Sequence, residues 1–272
     1  MFEVRDKVVL ITGAGANGGI GHALALGFGA AGARLIIADR DPDGLRQTEQ
    51  QLQAQGAAVR AQGCDIGDAG QVAALFESIA VTEGRLDVLI NVPFAFPSRV
   101  KPHQLAFEDW QHSLDVSLSG YFRCCQQALR LMLAQQPPGG SIINIGSNAG
   151  VTALGRGATP YACAKAAVHQ LTRELAVEYA ASGIRCNALL PAQVLTPGLQ
   201  QHMDDPDFRQ RVLPAMLHGL PMGKLLVPED LVGPALFLAS DAARAVNGAL
   251  LPVDQGNTAL NAGGSHNWPG PG

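Results

Sequence analysis

Short apolar runs alternate with segments of helical composition along almost the whole chain of 272 residues. Little polar alternation interrupts the runs KVVLI (7–11), ARLIIAD (33–39), LDVLIN (86–91) and IRCNALL (184–190). Strands of this kind have both faces covered, as in a parallel sheet, and parallel neighbours need a crossover that is usually a helix. The sequence therefore predicts an α/β fold with a doubly wound parallel sheet and right-handed crossovers.

Ligands of such a sheet bind at the carboxyl ends of its strands. The first run leads directly into TGAGANGGIG (12–21), which can be counted as G-x-G-x-x-G from Gly13 or as G-x-x-x-G-x-G from Gly15. A glycine loop before a helix lets backbone N–H groups approach a pyrophosphate. The second run ends at Asp39, whose carboxylate suits ribose hydroxyls and repels a 2′-phosphate. We expect NAD, while the adjacent Arg40 leaves NADP as the alternative.

Tyr161 and Lys165 are four residues apart in a predicted helix, so their side chains share one face. A phenol with an unperturbed pKa of about 10 is a poor base at neutral pH, and a nearby ammonium lowers that pKa. Ser147 follows a predicted strand and can hydrogen-bond an alcohol or carbonyl oxygen. These three residues predict proton transfer at an oxygen while hydride moves at the carbon.

The order of these motifs resembles that of the short-chain dehydrogenase/reductase family, from about Lys7 to Gly256. The resemblance implies a single-domain Rossmann fold with a seven-stranded parallel sheet. We expect this domain in residues 1–256, with a substrate flap at about 192–222 and an irregular tail at 257–272. The resemblance also implies a nicotinamide cofactor, reversible interconversion of an alcohol and a ketone, and a homotetramer.

The resemblance also implies roles for individual residues. Tyr161 is the acid/base, Ser147 polarises the reacting oxygen, and Lys165 lowers the pKa of Tyr161 and holds the nicotinamide ribose. Asp65 contacts the adenine amino group, and Thr196 contacts the carboxamide or the phosphates. The other cofactor residues that it implies are Thr12, Gly13, Gly19, Ile20, Gly21, Asp39, Ile66, Asn91, Pro191 and Val194.

Three departures from the family pattern stand out. The family's glycine loop has three residues between its first two glycines, whereas five separate Gly13 from Gly19 here. The turn NVPF (91–94) replaces the family's Asn-Ala-Gly, and Ser117, a further candidate catalytic residue, replaces an Asn that supports a water chain from the lysine. Ser117 is expected to keep the local helix distortion or to change the proton pathway. A non-catalytic NAD-binding protein and an epimerase or dehydratase therefore remain alternatives.

Composition narrows the class of partner. The net charge of −4 and the scattered Lys and Arg residues argue against nucleic acid or an anionic membrane. We expect a cytoplasmic protein, since five cysteines lack a C-x-x-C pair and neither a signal peptide nor a membrane span is evident.

No metal site is expected. Apolar residues in 92–103, 148–160 and 192–222 predict a pocket for an apolar or cyclic alcohol or ketone.

Overall fold

The apolar runs form one parallel sheet of seven strands in the spatial order β3-β2-β1-β4-β5-β6-β7, in a computed structural model that describes residues 2–96 and 98–261. The doubly wound sheet predicted from the sequence is therefore confirmed. The strands are β1 (Val8–Thr12), β2 (Arg34–Asp39), β3 (Val59–Gly63), β4 (Val88–Asn91), β5 (Gly140–Ile145), β6 (Ile184–Pro191) and β7 (Leu250–Val253).

Helices cover both faces of the sheet. Buried side chains of α3, α5 and α6 pack on one face, and those of α1, α2 and α9 pack on the other. Each fully buried Val, Leu or Ile stabilises the fold by about 1.5–3 kcal/mol. The helices are α1 (Ile20–Ala30), α2 (Pro42–Ala54), α3 (Ala69–Thr82), α4 (Phe107–Leu114), α5 (Gly120–Ala134), α6 (Thr159–Glu178), α7 (Pro197–Gln200), α8 (Leu213–His218) and α9 (Val232–Ala239).

The strand order reverses between β1 and β4, which are hydrogen-bonded neighbours with Thr12 opposite Asn91. The loops that follow these two strands diverge to opposite faces and leave a crevice between them, where doubly wound sheets bind ligands. In the ranges that the structure describes, no helix is both apolar enough and long enough to cross a bilayer.

The helical segment over 107–134 is not continuous. A π-helical turn, Asp115–Ser119, separates α4 from α5, and the Gly120 N–H donates to the Asp115 carbonyl, five residues earlier. The helix distortion expected around Ser117 is therefore present. It directs the buried Ser117 hydroxyl to the loop after β4, where Ser117 Oγ accepts from the Ala95 N–H at 3.0 Å. Ser113 Oγ donates to the Ala95 carbonyl at 3.0 Å, so two serines fix this loop.

The glycine loop brings the backbone of β1 against the first turn of α1. Gly13 has φ +78°, a conformation that favours glycine. Gly21 lies so close to this loop that a Cβ at its position would collide with the Gly13 carbonyl oxygen. Close approach of the strand end and the helix start therefore requires glycine at position 21.

Replacing Gly21 by alanine tests this packing. We expect Gly21→Ala to lower the free energy of unfolding by about 1–3 kcal/mol, because the loop must move to accommodate the methyl group. Urea unfolding followed by circular dichroism measures the change. Gly233→Ala is the matched control, since a Cβ at this position in α9 meets open space. Alanine there should stabilise by up to about 1 kcal/mol, and equal losses in both variants would contradict the packing argument.

Candidate active site

A cavity of about 420 Å³ opens in the crevice at the carboxyl ends of the strands. Its walls come from the glycine loop, from the ends of β2 to β6, and from the start of α7. Most of the site residues predicted from the sequence meet here. Those that line the cavity are Gly13, Gly19, Ile20, Gly21, Asp39, Asp65, Ile66, Tyr161, Lys165, Pro191, Val194 and Thr196.

Four other predicted residues lie outside this lining. Ser147 is buried and hydrogen-bonds Tyr161, and the other three support the frame of the cavity. Thr12 is buried in β1, and its hydroxyl donates to the Ile90 carbonyl at 3.4 Å. Asn91 is buried in β4, and its Nδ2 donates to Asn144 Oδ1 on β5 at 3.0 Å. Ser117 is held by Ala95, as described above. These side chains join strands and a loop of the frame.

The cradle at the start of α1 fits the pyrophosphate of a dinucleotide. In the described part of the chain no side chain caps α1 at Gly19, and no acidic residue occupies its first turn. The first N–H groups of this helix and its dipole therefore favour an anion in the cavity. Asp65 and Ile66 line the cavity beyond β3, and Thr196 lines it beyond β6. Residues at both ends of the cavity could therefore contact the two halves of a dinucleotide.

Asp39 lies where a ribose of that dinucleotide would bind. Its Oδ2 accepts from the Gly15 N–H at 2.8 Å, and its Oδ1 accepts from the Asp41 N–H at 2.9 Å. Each carboxylate oxygen has a second lone pair, so the group can still accept hydroxyl donors. Arg40 also lines the cavity and supplies a positive charge beside Asp39. The cavity therefore presents both an acceptor for ribose hydroxyls and a cation for a phosphate.

Tyr161 enters the cavity from the first turns of α6. Burial raises the pKa of its phenol, and a hydrogen bond with Ser147 acts in the opposite direction. The rings of Phe94 and Phe96 meet the Tyr161 ring edge-on, with centroids 5.6 and 5.7 Å away. The NVPF turn thus places aromatic side chains beside the phenol and restricts its orientation.

Lys165 lies behind Tyr161 and is only 1% exposed. Its Nζ donates to the Ile145 carbonyl at 2.7 Å and to the Tyr121 hydroxyl at 3.0 Å, and it lies 5.8 Å from the centroid of the Tyr161 ring. Burial lowers the pKa of Lys165 to about 7. The same burial raises the pKa of Tyr161, so the site disfavours the charged form of both residues.

Sequence analysis missed two residues of this site. His169 is buried beside Ser147, and its Nε2 accepts from the Ser147 N–H at 3.4 Å. Burial lowers the pKa of His169 to about 4, so the imidazole is neutral at pH 7 and keeps this acceptor. Tyr121 contacts the Lys165 ammonium. The available signal was helical spacing, since His169 is four residues after Lys165 and Tyr121 is four after Ser117.

Comparison with known proteins gives the family. A family model described as enoyl-(acyl carrier protein) reductase matches residues 13–258. The D-threitol dehydrogenase of Mycolicibacterium smegmatis is 35% identical, over 94% of this chain and 95% of that protein. A short-chain type dehydrogenase/reductase structure from Mycobacterium marinum has a TM-score of 0.83 at 29% identity, covering 95% of this chain and 98% of that one. The chain is a short-chain dehydrogenase/reductase.

Other relatives of this short-chain dehydrogenase/reductase act on different molecules. The 3beta-hydroxysteroid dehydrogenase 1 of Eggerthella lenta is 36% identical, over 94% of this chain and 95% of that protein. A solved structure from Beutenbergia cavernae, assigned as an NAD(P)-dependent gluconate 5-dehydrogenase, holds NADP at low occupancy. It has a TM-score of 0.86 at 34% identity and covers 95% of this chain and 99% of that one. The family resemblance stated from the motifs is thus confirmed, whereas its members differ in substrate.

The buried ammonium of this short-chain dehydrogenase/reductase predicts a pH-dependent stability. The unfolded chain protonates Lys165 below its ordinary pKa of 10.5, whereas the folded chain does so only below about 7. Stability of the cofactor-free protein should therefore rise by about 3 kcal/mol from pH 7 to pH 9.5 through this group. Lys165→Met should be more stable than wild type at pH 7 and lose most of that advantage at pH 9.5.

Urea unfolding at the two pH values measures this difference. Lys101→Met is the control, because Lys101 is exposed and its removal should shift stability equally at both pH values. A gap between Lys165→Met and wild type that stays constant with pH would contradict the effect of burial on Lys165.

Proposed function

We propose that this chain interconverts a secondary alcohol and a ketone with NAD(H), with Tyr161 as the acid/base. The observation that carries this proposal is that Tyr161, hydrogen-bonded to Ser147, and Lys165 line a cavity that also contains the N-terminus of α1. A helix N-terminus offers a site for a pyrophosphate, and the three side chains offer a site for an alcohol oxygen. The dehydrogenase names of the relatives support the same reaction class.

Each side chain has a role in alcohol oxidation. Ser147 donates a hydrogen bond to the reacting oxygen, and the Tyr161 phenolate takes the hydroxyl proton. The Lys165 ammonium stabilises the phenolate, because a nearby positive charge favours the deprotonated form. Bound NAD supplies the acceptor for the hydride that leaves the carbon, and NADH supplies the donor in the reverse direction. Ser117 acts on this reaction indirectly, by fixing the loop that carries Phe94 and Phe96.

The cofactor residues divide along the cavity. Gly13, Gly19, Ile20 and Gly21 would surround the pyrophosphate, and Asp39 would accept hydrogen bonds from the adenosine ribose. Asp65 and Ile66 would contact the adenine, and Lys165 would hold the nicotinamide ribose. Pro191, Val194 and Thr196 would lie beside the nicotinamide, while Thr12 and Asn91 support the loops from within the sheet.

NAD is favoured over NADP by the position of Asp39. A 2′-phosphate on the ribose would bring a dianion against a carboxylate that already receives two backbone N–H groups. Arg40 supports NADP instead, as does the NADP in the Beutenbergia cavernae structure. The two cofactors are therefore distinguished by one carboxylate and one guanidinium.

The substrate class follows from the wall beside Tyr161. Phe94 is 57% exposed and lines the cavity, and Phe96 also packs edge-on against the phenol ring. Aromatic faces of this kind suit an apolar or cyclic alcohol more than a polyol. The steroid dehydrogenase among the relatives supports this choice, and the threitol dehydrogenase supports the polyol. The segment 192–222, which is part of the domain of residues 1–256, would close over this substrate as a flap.

We also propose that the chain assembles as a homotetramer and that it is located in the cytoplasm. Phe107, Phe122, Leu133 and Val177 are exposed apolar side chains on α4, α5 and α6. A homotetramer would cover such surfaces.

The five cysteines, all within the described ranges, are free thiols, as expected in a reducing cytoplasm. Of the predicted tail 257–272, residues 262–272 lie outside the described residues.

The first experiment follows the absorbance of reduced nicotinamide with a panel of secondary alcohols, polyols included. Wild type should turn over an alcohol with NAD, and Tyr161→Phe should reduce kcat at least about 100-fold, since general acid–base catalysis contributes 10²–10⁴-fold. NADH fluorescence should show that the variant still binds the cofactor. Cofactor binding by wild type without turnover of any alcohol or ketone would favour the non-catalytic alternative.

A second experiment tests the cofactor preference. Asp39→Asn removes the charge at constant size, so we expect the ratio of kcat/KM with NAD to kcat/KM with NADP to fall at least about tenfold. Asp41→Asn is the control, because Asp41 caps α2 outside the cavity lining and Asn caps equally well. Arg40→Ala should leave the NAD value unchanged. A wild type that prefers NADP would make Arg40 the selecting residue.

A further inference from the structure

The ammonium of Lys165 is part of a closed triangle of polar atoms behind the cavity. Its Nζ donates to the Ile145 carbonyl at 2.7 Å and to the Tyr121 hydroxyl at 3.0 Å. The Tyr121 hydroxyl donates in turn to the same Ile145 carbonyl at 3.2 Å. Because Ile145 ends β5 two residues before Ser147, the triangle ties the lysine to the strand that carries the serine.

The Tyr121 hydroxyl has a defined orientation. The side chain is 0% exposed in α5, and its proton is used by Ile145, so a lone pair remains directed at Lys165. The Lys165 Nζ also lies 4.7 Å from the centroid of the Tyr121 ring, within range of a cation–π contact. The phenol therefore stabilises the ammonium through both its oxygen and its ring face.

Few other groups can compensate the charge on Lys165. The titratable side chains that face it are Tyr161 and His169 from its own helix and Tyr121 from α5, with Cys124 and Cys125 next to Tyr121. His169 is neutral at pH 7, since burial lowers its pKa to about 4. Burial also raises the pKa values of Tyr121, Cys124 and Cys125, which keeps them neutral. The acceptors from Tyr121 and Ile145 are thus the main support of the ammonium.

We propose that Tyr121 is a positioning residue that holds the Lys165 ammonium beside Tyr161 and keeps it charged. The role rests on the proposed function, in which that charge stabilises the Tyr161 phenolate. Ser117, four residues earlier on the same helical segment, is engaged by Ala95, so the acceptor for the lysine comes from Tyr121 instead. A fixed hydroxyl gives this acceptor without an ordered water.

The test is Tyr121→Phe, which removes one oxygen and keeps the ring. Loss of the acceptor lowers the pKa of Lys165, so less ammonium is present at a given pH and the phenolate forms only at higher pH. The acidic limb of log kcat against pH for alcohol oxidation should move up by about one unit, and kcat at pH 7 should fall about tenfold with KM changed less than twofold.

Tyr179→Phe is the matched control. This tyrosine follows the last residue of α6 and packs against the core away from the cavity lining. Its variant should keep the wild-type pH profile. A Tyr121→Phe profile that coincides with that of wild type, in protein of unchanged circular dichroism, would overturn the proposal.

A second readout needs neither cofactor nor substrate. If the folded pKa of Lys165 falls by one unit, the folding equilibrium constant of cofactor-free Tyr121→Phe should decrease about fourfold more than that of wild type between pH 7 and pH 5.5. Adding Lys165→Met should abolish this difference. A pH dependence equal to that of wild type would count against Tyr121 even if the enzyme proved inactive. Absence of turnover in wild type would instead reject the proposed function.

Discussion

The buried ammonium of Lys165 is the group on which the rest of the site depends. A charge removed from water costs several kcal/mol unless polar atoms replace its hydration. At the end of β5 the Ile145 carbonyl supplies one such atom, and α5 supplies the Tyr121 hydroxyl. Both elements must keep their positions for the charge to be tolerated. The doubly wound sheet therefore provides more than a cavity, because its strand ends and helices replace the water around the charge.

The fold was predictable because its signals are periodic and local. Apolar runs identified the strands, and Gly13 and Asp39 identified the edge of the sheet where the cavity opens. The hydrogen-bond partners within the site were not predictable in this way. They depend on which atoms meet in the folded chain, and one helical face contains several side chains that could be the partner. Sequence spacing placed Tyr121 on the face of Ser117 without showing that its hydroxyl reaches Lys165. Sequence spacing likewise could not show that the Asn91 amide donates a hydrogen bond to Asn144 within the sheet.

The glycine loop, which is two residues longer than that of the family pattern, packs on α2. The Thr48 hydroxyl donates to the Ala14 carbonyl at 2.8 Å, and Asn17 Nδ2 donates to Gln47 Oε1 at 2.9 Å. The Gly15 N–H, in this longer loop, donates to Asp39 Oδ2 at 2.8 Å. Loop length and the proposed cofactor selection are therefore linked, because Asp39, the carboxylate proposed to accept the ribose hydroxyls, also anchors the glycine loop.

The departures from the family pattern belong to one arrangement. Pro93 packs on the glycine loop, 3.0 Å from where a Cβ of Gly13 would lie, and Phe94 packs on Tyr161. The residue after this turn, Ala95, is held by Ser117. The lysine finds its side-chain acceptor elsewhere. Tyr121 provides it from the next turn of the same helical segment, which connects the NVPF turn to the buried charge.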